Sequence, residues 1–274
     1  MNIGLVLHPE RARATEVAAG VVAGAVARGI RLVAADNAAS TLAGVEAGDL
    51  EDAVLVLSIG GDGTVLEAVK KALPLGIPVL GINLGRVGFL AEIEVSHIEE
   101  TLDRIEAGDW AVEDRMTVKA EIEDGPTVHG LNDIVISKRM VNRLATLAVT
   151  VDGEAFRTYN ADGIVVASAT GSTAYSFSAG GPAVDPGLRG LFMTAVAPHS
   201  LFSRTLVFEP HRVLGFLAGS DRPVGVEVDA SDLGELKPGQ AVRVTAGDID
   251  ARFATMDGRR FPHTLQHKLG LDGD

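Results

Sequence analysis

The segment VLVLSIGGDGT, residues Val54–Thr64, decides the fold class. Its continuous apolar run is typical of a strand that is buried on both faces of a parallel sheet. The glycines that follow leave backbone N–H groups uncovered and permit positive φ, and they precede a predicted helix at Thr64–Leu73. A strand, a glycine turn and a helix N-terminus in this order form a suitable cradle for phosphate oxygens.

The lone carboxylate of this turn, Asp62, has two explanations. In an anion cradle it is unsuited to bind phosphate, but it could bind magnesium or accept a proton from an attacking hydroxyl. Alternatively, it caps the helix that follows. The turn is neither a Walker A motif nor a GxGxxG fingerprint, because the chain contains no GxxxxGK[ST] and Leu66 stands at the third glycine position.

The N-terminal third of the chain alternates between strand and helix patterns. This order predicts a Rossmann-like, doubly wound and mostly parallel sheet. The predicted strands are Ile3–Leu7, Ile30–Ala34, Val54–Ile59 and Ile77–Ile82, and the predicted helices are Ala12–Arg28, Thr64–Leu73 and His97–Ala107.

From about residue 115 the pattern changes to short strands separated by DG and PG turn pairs. This pattern predicts a β-rich second domain, built as a sandwich or layered sheet. A stretch rich in Gly, Ser, Thr and Ala, Ala169–Ala183, interrupts the strands, and Phe261–Leu269 has helical character.

Composition excludes several functions. The 274 residues include no cysteine, which excludes disulfides, cysteine-bound zinc and thiol chemistry. The net charge of −13 disfavours binding to nucleic acid. No apolar run is long enough to span a membrane, and the first residues are typical of a strand and not of a signal peptide. We therefore expect a cytoplasmic protein with no membrane or nucleic-acid partner.

Three more clusters combine glycine or hydroxyl residues with a strand end. Asn83 ends a buried strand within GINLGRVGFLAE, Asn132 and Asp133 precede a strand in LNDIVISK, and residues 162–182 carry a dense group of hydroxyls. Each has a structural alternative: close packing of loop glycines, an Asx turn, and a serine-rich helix cap, respectively. His199, beside Pro198, is best explained as a structural residue.

As an ordered set, these segments resemble the inorganic polyphosphate/ATP-NAD kinase family. GGDGT is also found in phosphofructokinases and lipid kinases, whereas GSTAYS points to NAD kinases. The resembling segments are GGDGT (60–64), GINLGRVGFL (81–90), ND (132–133), ADGIVVASATGSTAYSFSAGGP (161–182), PHSL with Arg204 (198–204) and VEVDAS (226–231).

The resemblance implies a fold and a reaction. It implies a Rossmann-like, nucleotide- and phosphate-binding domain at 1–114, to which the segment 251–274 returns, and a β-rich, NAD-binding domain at 115–250. The implied reaction transfers a phosphoryl group from ATP or polyphosphate to the adenosine-ribose 2′-hydroxyl of NAD, which gives NADP. It also implies Mg²⁺ or another divalent metal, and a homodimer or homotetramer.

The resemblance also implies site residues. Asp62 would be the proton acceptor, and Gly61, Gly63 and Thr64 would flank the phosphates. The remaining residues expected to contact NAD or the phosphates are Asn83, Asn132, Asp133, Arg143, Asn160, Asp162, Thr173, Ala174, Tyr175, Ser176 and Ser178.

The chain departs from the family pattern in four places. Asp133 replaces glutamate, Ser168-Ala169 replaces Thr-Pro, Thr205 replaces proline, and Ala230-Ser231 replaces Gly-Gln. The loss of the proline ring at residue 169 should loosen the start of the following loop. Two alternatives follow: a GGDGT kinase that acts on a sugar phosphate or lipid, and a non-catalytic protein that senses NAD or NADP.

Overall fold

The computed structural model describes residues 1–8, 12–35, 37, 39–85, 88–140, 143–219, 222–256 and 261–271. The chain divides into two units, Met1–Asp114 with Ala251–Asp274, and Arg115–Asp250. We number the strands β1–β20 and the α-helices α1–α5 along the chain.

The first unit alternates strands with helices. Its strands are β1 (Asn2–Leu7), β2 (Arg31–Ala34), β3 (Val45–Ala47), β4 (Leu55–Gly60), β5 (Val79–Asn83), β6 (Ile93–Glu94), β7 (Ala111–Arg115) and β20 (Ala251–Thr255). Its helices are α1 (Ala12–Ala27), α2 (Asp62–Ala72), α3 (Ile98–Ala107) and α5 (Phe261–Leu269).

These strands form one sheet in the order β3-β2-β1-β4-β5-β20-β7, with β6 paired to β5. The pairs β1–β2, β2–β3, β1–β4, β4–β5, β5–β6 and β5–β20 are parallel. This confirms the predicted Rossmann-like sheet. The strand order reverses between β1 and β4, and ligands of open α/β sheets bind outside the strand ends at such a reversal.

Burial explains why these segments form the centre of the sheet. All residues of β4 and β5 are buried, as the apolar runs predicted. Helix α1 packs a face of small residues into the core, among them Ala14, Ala18 and Val21 at helical spacing.

The second unit consists mainly of antiparallel strands. They are β8 (Val118–Ile122), β9 (Thr127–Gly130), β10 (Asp133–Lys138), β11 (Ala145–Val151), β12 (Glu154–Ala161), β13 (Gly163–Ala167), β14 (Leu191–Val196), β15 (Leu206–Phe208), β16 (Leu214–Ala218), β17 (Val224–Val228), β18 (Ser231–Leu236) and β19 (Ala241–Ala246). The short helix α4 (Tyr175–Ser178) follows a 3₁₀ turn at Thr170–Thr173.

Two six-stranded sheets result, with the orders β15-β14-β13-β10-β17-β18 and β12-β11-β16-β19-β8-β9. One apolar core draws on both sheets, with Ile134 and Val226 from the first and Leu147 and Phe216 from the second. The sequence prediction of a β-rich, sandwich-like domain is therefore confirmed.

The described part of the chain contains no helix that is both long and apolar enough to cross a membrane.

Candidate active site

The GGDGT turn lies at the carboxyl end of β4, beside the point where the strand order reverses. Gly61 is the N-cap of α2, and its carbonyl accepts hydrogen bonds from the N–H groups of Thr64 and Val65 at 2.9 and 3.1 Å. The helix therefore begins at Asp62, two residues before the predicted start. The sequence prediction missed this because glycine is a poor helix former, whereas here the turn geometry decides.

The carboxylate of Asp62 does not cap its own helix. Its Oδ2 accepts the N–H of Phe89 at 2.9 Å, and its Oδ1 accepts the N–H groups of Leu90 and Ala91 at 3.0 and 3.3 Å. The capping explanation is therefore wrong, since α2 has no side-chain cap. A carboxylate offers about four acceptor positions, so these three donors leave one position on Oδ2 for a ligand.

Of the three glycines in this turn, only Gly60 is needed for space, and none of them has positive φ. Positive-φ glycines occur elsewhere among the described residues, but Gly60, Gly61 and Gly63 have ordinary φ, which corrects the sequence prediction. A Cβ on Gly60 would lie 2.1 Å from Oγ1 of Thr64. A Cβ on Gly61 or Gly63 would meet no atom within 4 Å, so the side-chain side of both residues faces open space.

Two of the predicted phosphate contacts are buried behind this turn. Thr64 is 6% exposed, and its side chain packs against Gly60. Asn83 is 7% exposed, lies opposite Gly60 in the β4–β5 register, and accepts the N–H of Gly85 through Oδ1 at 3.1 Å. The loops after β4 and β5 are therefore neighbours. The side chains of Thr64 and Asn83 are buried and contact the backbone of these loops.

The loop after β5 approaches the Asp62 carboxylate at Gly88. A Cβ there would lie 2.1 Å from Oδ1 of Asp62, so only glycine fits without displacing that carboxylate. Arg86 and Val87 of the same motif lie outside the described residues. The ring of Phe89 is covered by Nζ of Lys268, which lies 5.2 Å from its centroid.

No group of three or more His, Cys, Asp or Glu side chains in the described ranges is placed to hold a metal ion. Mg²⁺ in phosphoryl-transfer sites is usually held by substrate phosphates, waters and one or two carboxylates. The residues present therefore fit a metal that is carried by phosphates and do not form a separate protein cage.

In the second unit, the Asn132-Asp133 turn is held by a residue almost 100 positions away. Oδ2 of Asp229 accepts the N–H of Leu131 at 2.7 Å, and its Oδ1 accepts those of Asn132 and Asp133 at 2.7 and 3.2 Å. The Asp229 N–H in turn donates to the Asp133 carbonyl at 3.1 Å. These hydrogen bonds fix the backbone of residues 131–133, which carries the polar side chains of Asn132 and Asp133 at the start of β10.

The loop that carries the GSTAYS motif packs directly on this turn. A Cβ on Gly171 would lie 1.9 Å from the Asn132 carbonyl oxygen. Buried Ser168 donates through Oγ to the Leu131 carbonyl at 2.6 Å and accepts the Gly171 N–H at 3.1 Å. Ala169 has φ −60°, close to the value that a proline ring would impose, so the loop keeps this geometry without proline.

Asp133 lies in an acidic, buried environment. It is 5% exposed. Burial, followed by the charges of Asp229 and Glu227, raises the pKa of its carboxyl to about 7, although a hydrogen bond from the Tyr175 N–H opposes this rise. Asp133 can therefore gain or lose a proton near neutral pH.

The hydroxyl-rich segment has an exposed side and a buried side. Tyr175 and Ser178 are exposed, and Thr173 and Ala174 are half-buried. Ser176 is fully buried, and its Oγ lies 3.3 Å from Oγ1 of Thr194, which lies 2.8 Å from Oγ1 of Thr205. Ser176 therefore supports the loop from within, while its neighbours face solvent.

Three other predicted residues lie away from this turn. Asp162 pairs with Lys138 at the opposite end of β10 from Asp133, about 17 Å away at the usual rise per strand residue. Asn160 accepts the Thr146 hydroxyl at 2.9 Å, and Arg143 is exposed beside the same strand end. Asp162, Asn160 and Arg143 therefore form a second polar group within the chain, away from the Asn132-Asp133 turn.

Sequence reasoning missed Asp229 and Ser168 as parts of the site. The aspartate in VEVDAS is a recognisable turn residue, but its long-range partners leave no periodic signal. His199 donates its backbone N–H to the Asn160 carbonyl at 2.9 Å, which is compatible with the structural role expected for it.

Comparison with known proteins gives consistent matches over both units. A family model described as the ATP-NAD kinase N-terminal domain matches residues 3–110. A second model, described as the ATP-NAD kinase C-terminal domain, matches residues 131–256. Together they cover most of the chain.

Curated relatives and a solved structure agree with these matches. The chain is 37% identical over 282 residues to an NAD kinase from Moorella thermoacetica, covering 99% of this chain and 90% of that protein. It is 41% identical over 220 residues to an NAD kinase from Symbiobacterium thermophilum, covering 78% of each. The fold matches yeast NADH kinase complexed with NADH, with a TM-score of 0.89, 22% identity and coverage of 100% of this chain and 89% of that one.

Proposed function

This chain belongs to the NAD kinase family, and from that premise we propose how its own residues transfer a phosphoryl group from ATP to NAD. The acceptor in this proposal is the adenosine-ribose 2′-hydroxyl of NAD, and the product is NADP. Polyphosphate is an alternative donor. Phosphoryl transfer requires mainly positioning and charge neutralisation from the protein.

The observation that carries the mechanism is the hydrogen bonding of Asp62. Its two oxygens are fixed by the N–H groups of Phe89, Leu90 and Ala91. Three donors suit an ionised carboxylate, which is an acceptor only, and one acceptor position stays open on Oδ2. We propose that this position receives the 2′-hydroxyl of NAD and takes its proton as phosphoryl transfer proceeds.

The open space beside Gly61 and Gly63 supports a phosphate-binding role for this turn. Their amides lie at the N-terminus of α2, where the helix dipole favours negative charge. We propose that the donor's phosphates bind there. Thr64 and Asn83 contribute by shaping the two loops, because Thr64 packs against Gly60 and Oδ1 of Asn83 accepts the N–H of Gly85.

We propose that the donor's phosphates, held at the Gly61 and Gly63 amides, would carry a divalent metal. When bound, it neutralises charge on the transferred group. The absence of a three-residue ligand cluster among the described residues agrees with this arrangement. It also makes the glycine amides important, since the chain as a whole is acidic.

The dinucleotide is the proposed ligand of the second unit. The turn at Asn132 and Asp133 offers polar side chains to a ribose and the nicotinamide end, and Thr173, Ala174, Tyr175 and Ser178 line the neighbouring segment. Ser176 supports that segment from the core. Arg143, Asn160 and Asp162 are proposed as further contacts, at the other end of β10.

The assembly and location of the enzyme are proposed from the family resemblance. We propose a homodimer or homotetramer that acts in the cytoplasm. Sedimentation velocity on the purified chain measures the number of copies directly, and a monomer at micromolar concentration would contradict the proposed assembly.

One assay tests the proposed function. The purified protein is incubated with NAD, Mg²⁺ and either ATP or polyphosphate, and NADP is measured with an NADP-specific dehydrogenase. We expect NADP to form only when a donor and the metal are both present, and EDTA to abolish its formation. Tight NADP binding without turnover under any of these conditions would overturn the proposal.

A further inference from the structure

The turn that contains Asp229 is held in an uncommon conformation. Asp229 has φ +46° and Ala230 has φ +61°, although neither residue is glycine. Aspartate tolerates this region, but alanine there costs about 1 kcal/mol or more. The surrounding structure must therefore stabilise a turn that directs the Asp229 carboxylate toward residues 131–133.

The Asp229 carboxylate fixes the backbone of residues 131–133. It binds three successive N–H groups, two of them at 2.7 Å, and so removes the freedom of the turn that presents Asn132 and Asp133. Gly130, next to this turn, leaves room for it, because a Cβ there would lie 3.2 Å from Oδ1 of Asp229. Charge-assisted hydrogen bonds of this kind are stronger than neutral ones.

The same carboxylate belongs to an acidic group around Asp133. Strand β17 contributes Glu227, the turn after it contributes Asp229, and α4 contributes the N–H of Tyr175. Strand β13 places the uncharged Ala167 opposite Asp133 in register. No basic side chain is among the groups that shift the Asp133 carboxyl in the described structure.

We propose that Asp229 is a positioning residue, which fixes the Asn132-Asp133 turn and sets the proton state that Asp133 presents to a bound dinucleotide. This inference rests on the proposed function, in which Asp133 contacts a ribose of NAD. An ionised carboxylate accepts hydrogen bonds from both hydroxyls of a ribose, whereas a protonated one must also donate.

The consequence is a pH-dependent affinity for NAD. The pKa of Asp133 is raised to about 7, so below that pH the free protein holds a proton that NAD binding must release. The dissociation constant for NAD should therefore rise as pH falls, by up to about tenfold for each pH unit. Burial raises this pKa the most, and the negative charge of Asp229 raises it further.

The test uses the full chain and reads Asp133 directly. The carboxyl carbons of aspartate are labelled with ¹³C, the Asp133 signal is assigned by its loss in Asp133→Asn, and its titration is followed by NMR without any ligand. The dissociation constant for NAD is then measured by calorimetry from pH 5.5 to 8.5. The variants are Asp229→Asn, Glu227→Gln and, as a control in the first unit, Asp103→Asn.

We expect Asp229→Asn to lower the titration midpoint of Asp133 by about one pH unit, and to move the pH dependence of NAD binding by the same amount. Glu227→Gln should shift both midpoints in the same direction but less, because Glu227 acts by charge alone. Asp103→Asn, which removes an ion-pair partner of Arg28, should leave them unchanged.

A purely structural role for Asp229 would weaken NAD binding equally at every pH, and an unmoved Asp133 midpoint in folded Asp229→Asn would overturn the inference. If that variant does not fold, Asp229→Ser replaces it, because serine keeps an acceptor oxygen without the charge, and an unmoved midpoint there overturns the inference. Failure of the proposed function is distinguishable, because the NMR titration requires neither NAD nor catalysis.

Discussion

Asp62 of the first unit and Asp133 of the second differ in what surrounds their carboxyl groups. Asp62 is half-buried and is met by three backbone N–H donors from residues 89–91. Asp133 is almost fully buried beside two other acids, with one backbone donor. The first carboxylate accepts three backbone hydrogen bonds, whereas burial and then the charges of Asp229 and Glu227 raise the pKa of the second.

Replacing Asp133 with asparagine should stabilise the protein at alkaline pH. The pKa of Asp133 is about 7 in the folded chain and near 3.8 when unfolded, so the folded state holds the extra proton between these values. Stability contributed by this group therefore falls as pH rises from about 4 to about 7, by on the order of a few kcal/mol at most.

We expect the Tm of Asp133→Asn to exceed that of the parent at pH 8 and to differ little from it at pH 4, where both side chains are neutral. Differential scanning calorimetry at the two pH values measures this. Equal Tm differences at both pH values would show that ionisation of Asp133 does not cost stability.

Gly88 should be required for activity, whereas Gly85, three residues earlier, should not be. In Gly88→Ala, the new Cβ would collide with the Asp62 carboxylate, whereas in Gly85→Ala it would meet nothing within 4 Å. We expect kcat of Gly88→Ala to fall roughly tenfold to a hundredfold, because a catalytic group is displaced. Gly85→Ala serves as the matched control and should retain kcat, and equal activity of the two variants would contradict this geometry.

At the scale of elements, the strands at the sheet centre could be predicted because burial on both faces leaves a continuous apolar run. Strand β4 was expected at Val54–Ile59 and lies at Leu55–Gly60. The start of α2 was placed two residues too late, because the turn and not helix propensity decides it. The role of Asp229 depends on contacts 96–98 residues away, which no local pattern records.

Helix α1 offers a matched pair of glycine substitutions. Gly20 is exposed in mid-helix, and a Cβ there would meet nothing within 4 Å, so Gly20→Ala should stabilise the chain by about 0.5–1 kcal/mol. A Cβ on Gly24 would lie 2.6 Å from Cδ1 of Leu102, which is 1% exposed.

We therefore expect Gly24→Ala to destabilise the protein by about 1 kcal/mol, since Leu102 of α3 must move to make room for the new methyl group. Urea unfolding of both variants measures the difference. A gain in stability for Gly24→Ala as large as that for Gly20→Ala would show that the α1–α3 contact is looser than described.

At the scale of the whole molecule, the sequence could predict that an α/β unit comes first and a β-rich unit second. The parallel sheet and the two antiparallel sheets follow that order. Predicting the site was harder. Glycine and hydroxyl clusters indicated which loops matter, but the contacts that each side chain makes within its loop leave no pattern in the sequence. Thr64, Asn83 and Ser176 carry the motif chemistry and yet lie inside the protein.

In the proposed mechanism, Asp62 accepts the proton of the hydroxyl that is phosphorylated. The most direct test is the turnover of Asp62→Asn at saturating NAD, ATP and Mg²⁺, with folding checked by Tm and NAD binding measured separately. We predict that kcat falls by roughly 10² or more, the scale of a lost general base, while the dissociation constant for NAD changes less than about threefold. Near-normal turnover of the folded variant would contradict the account.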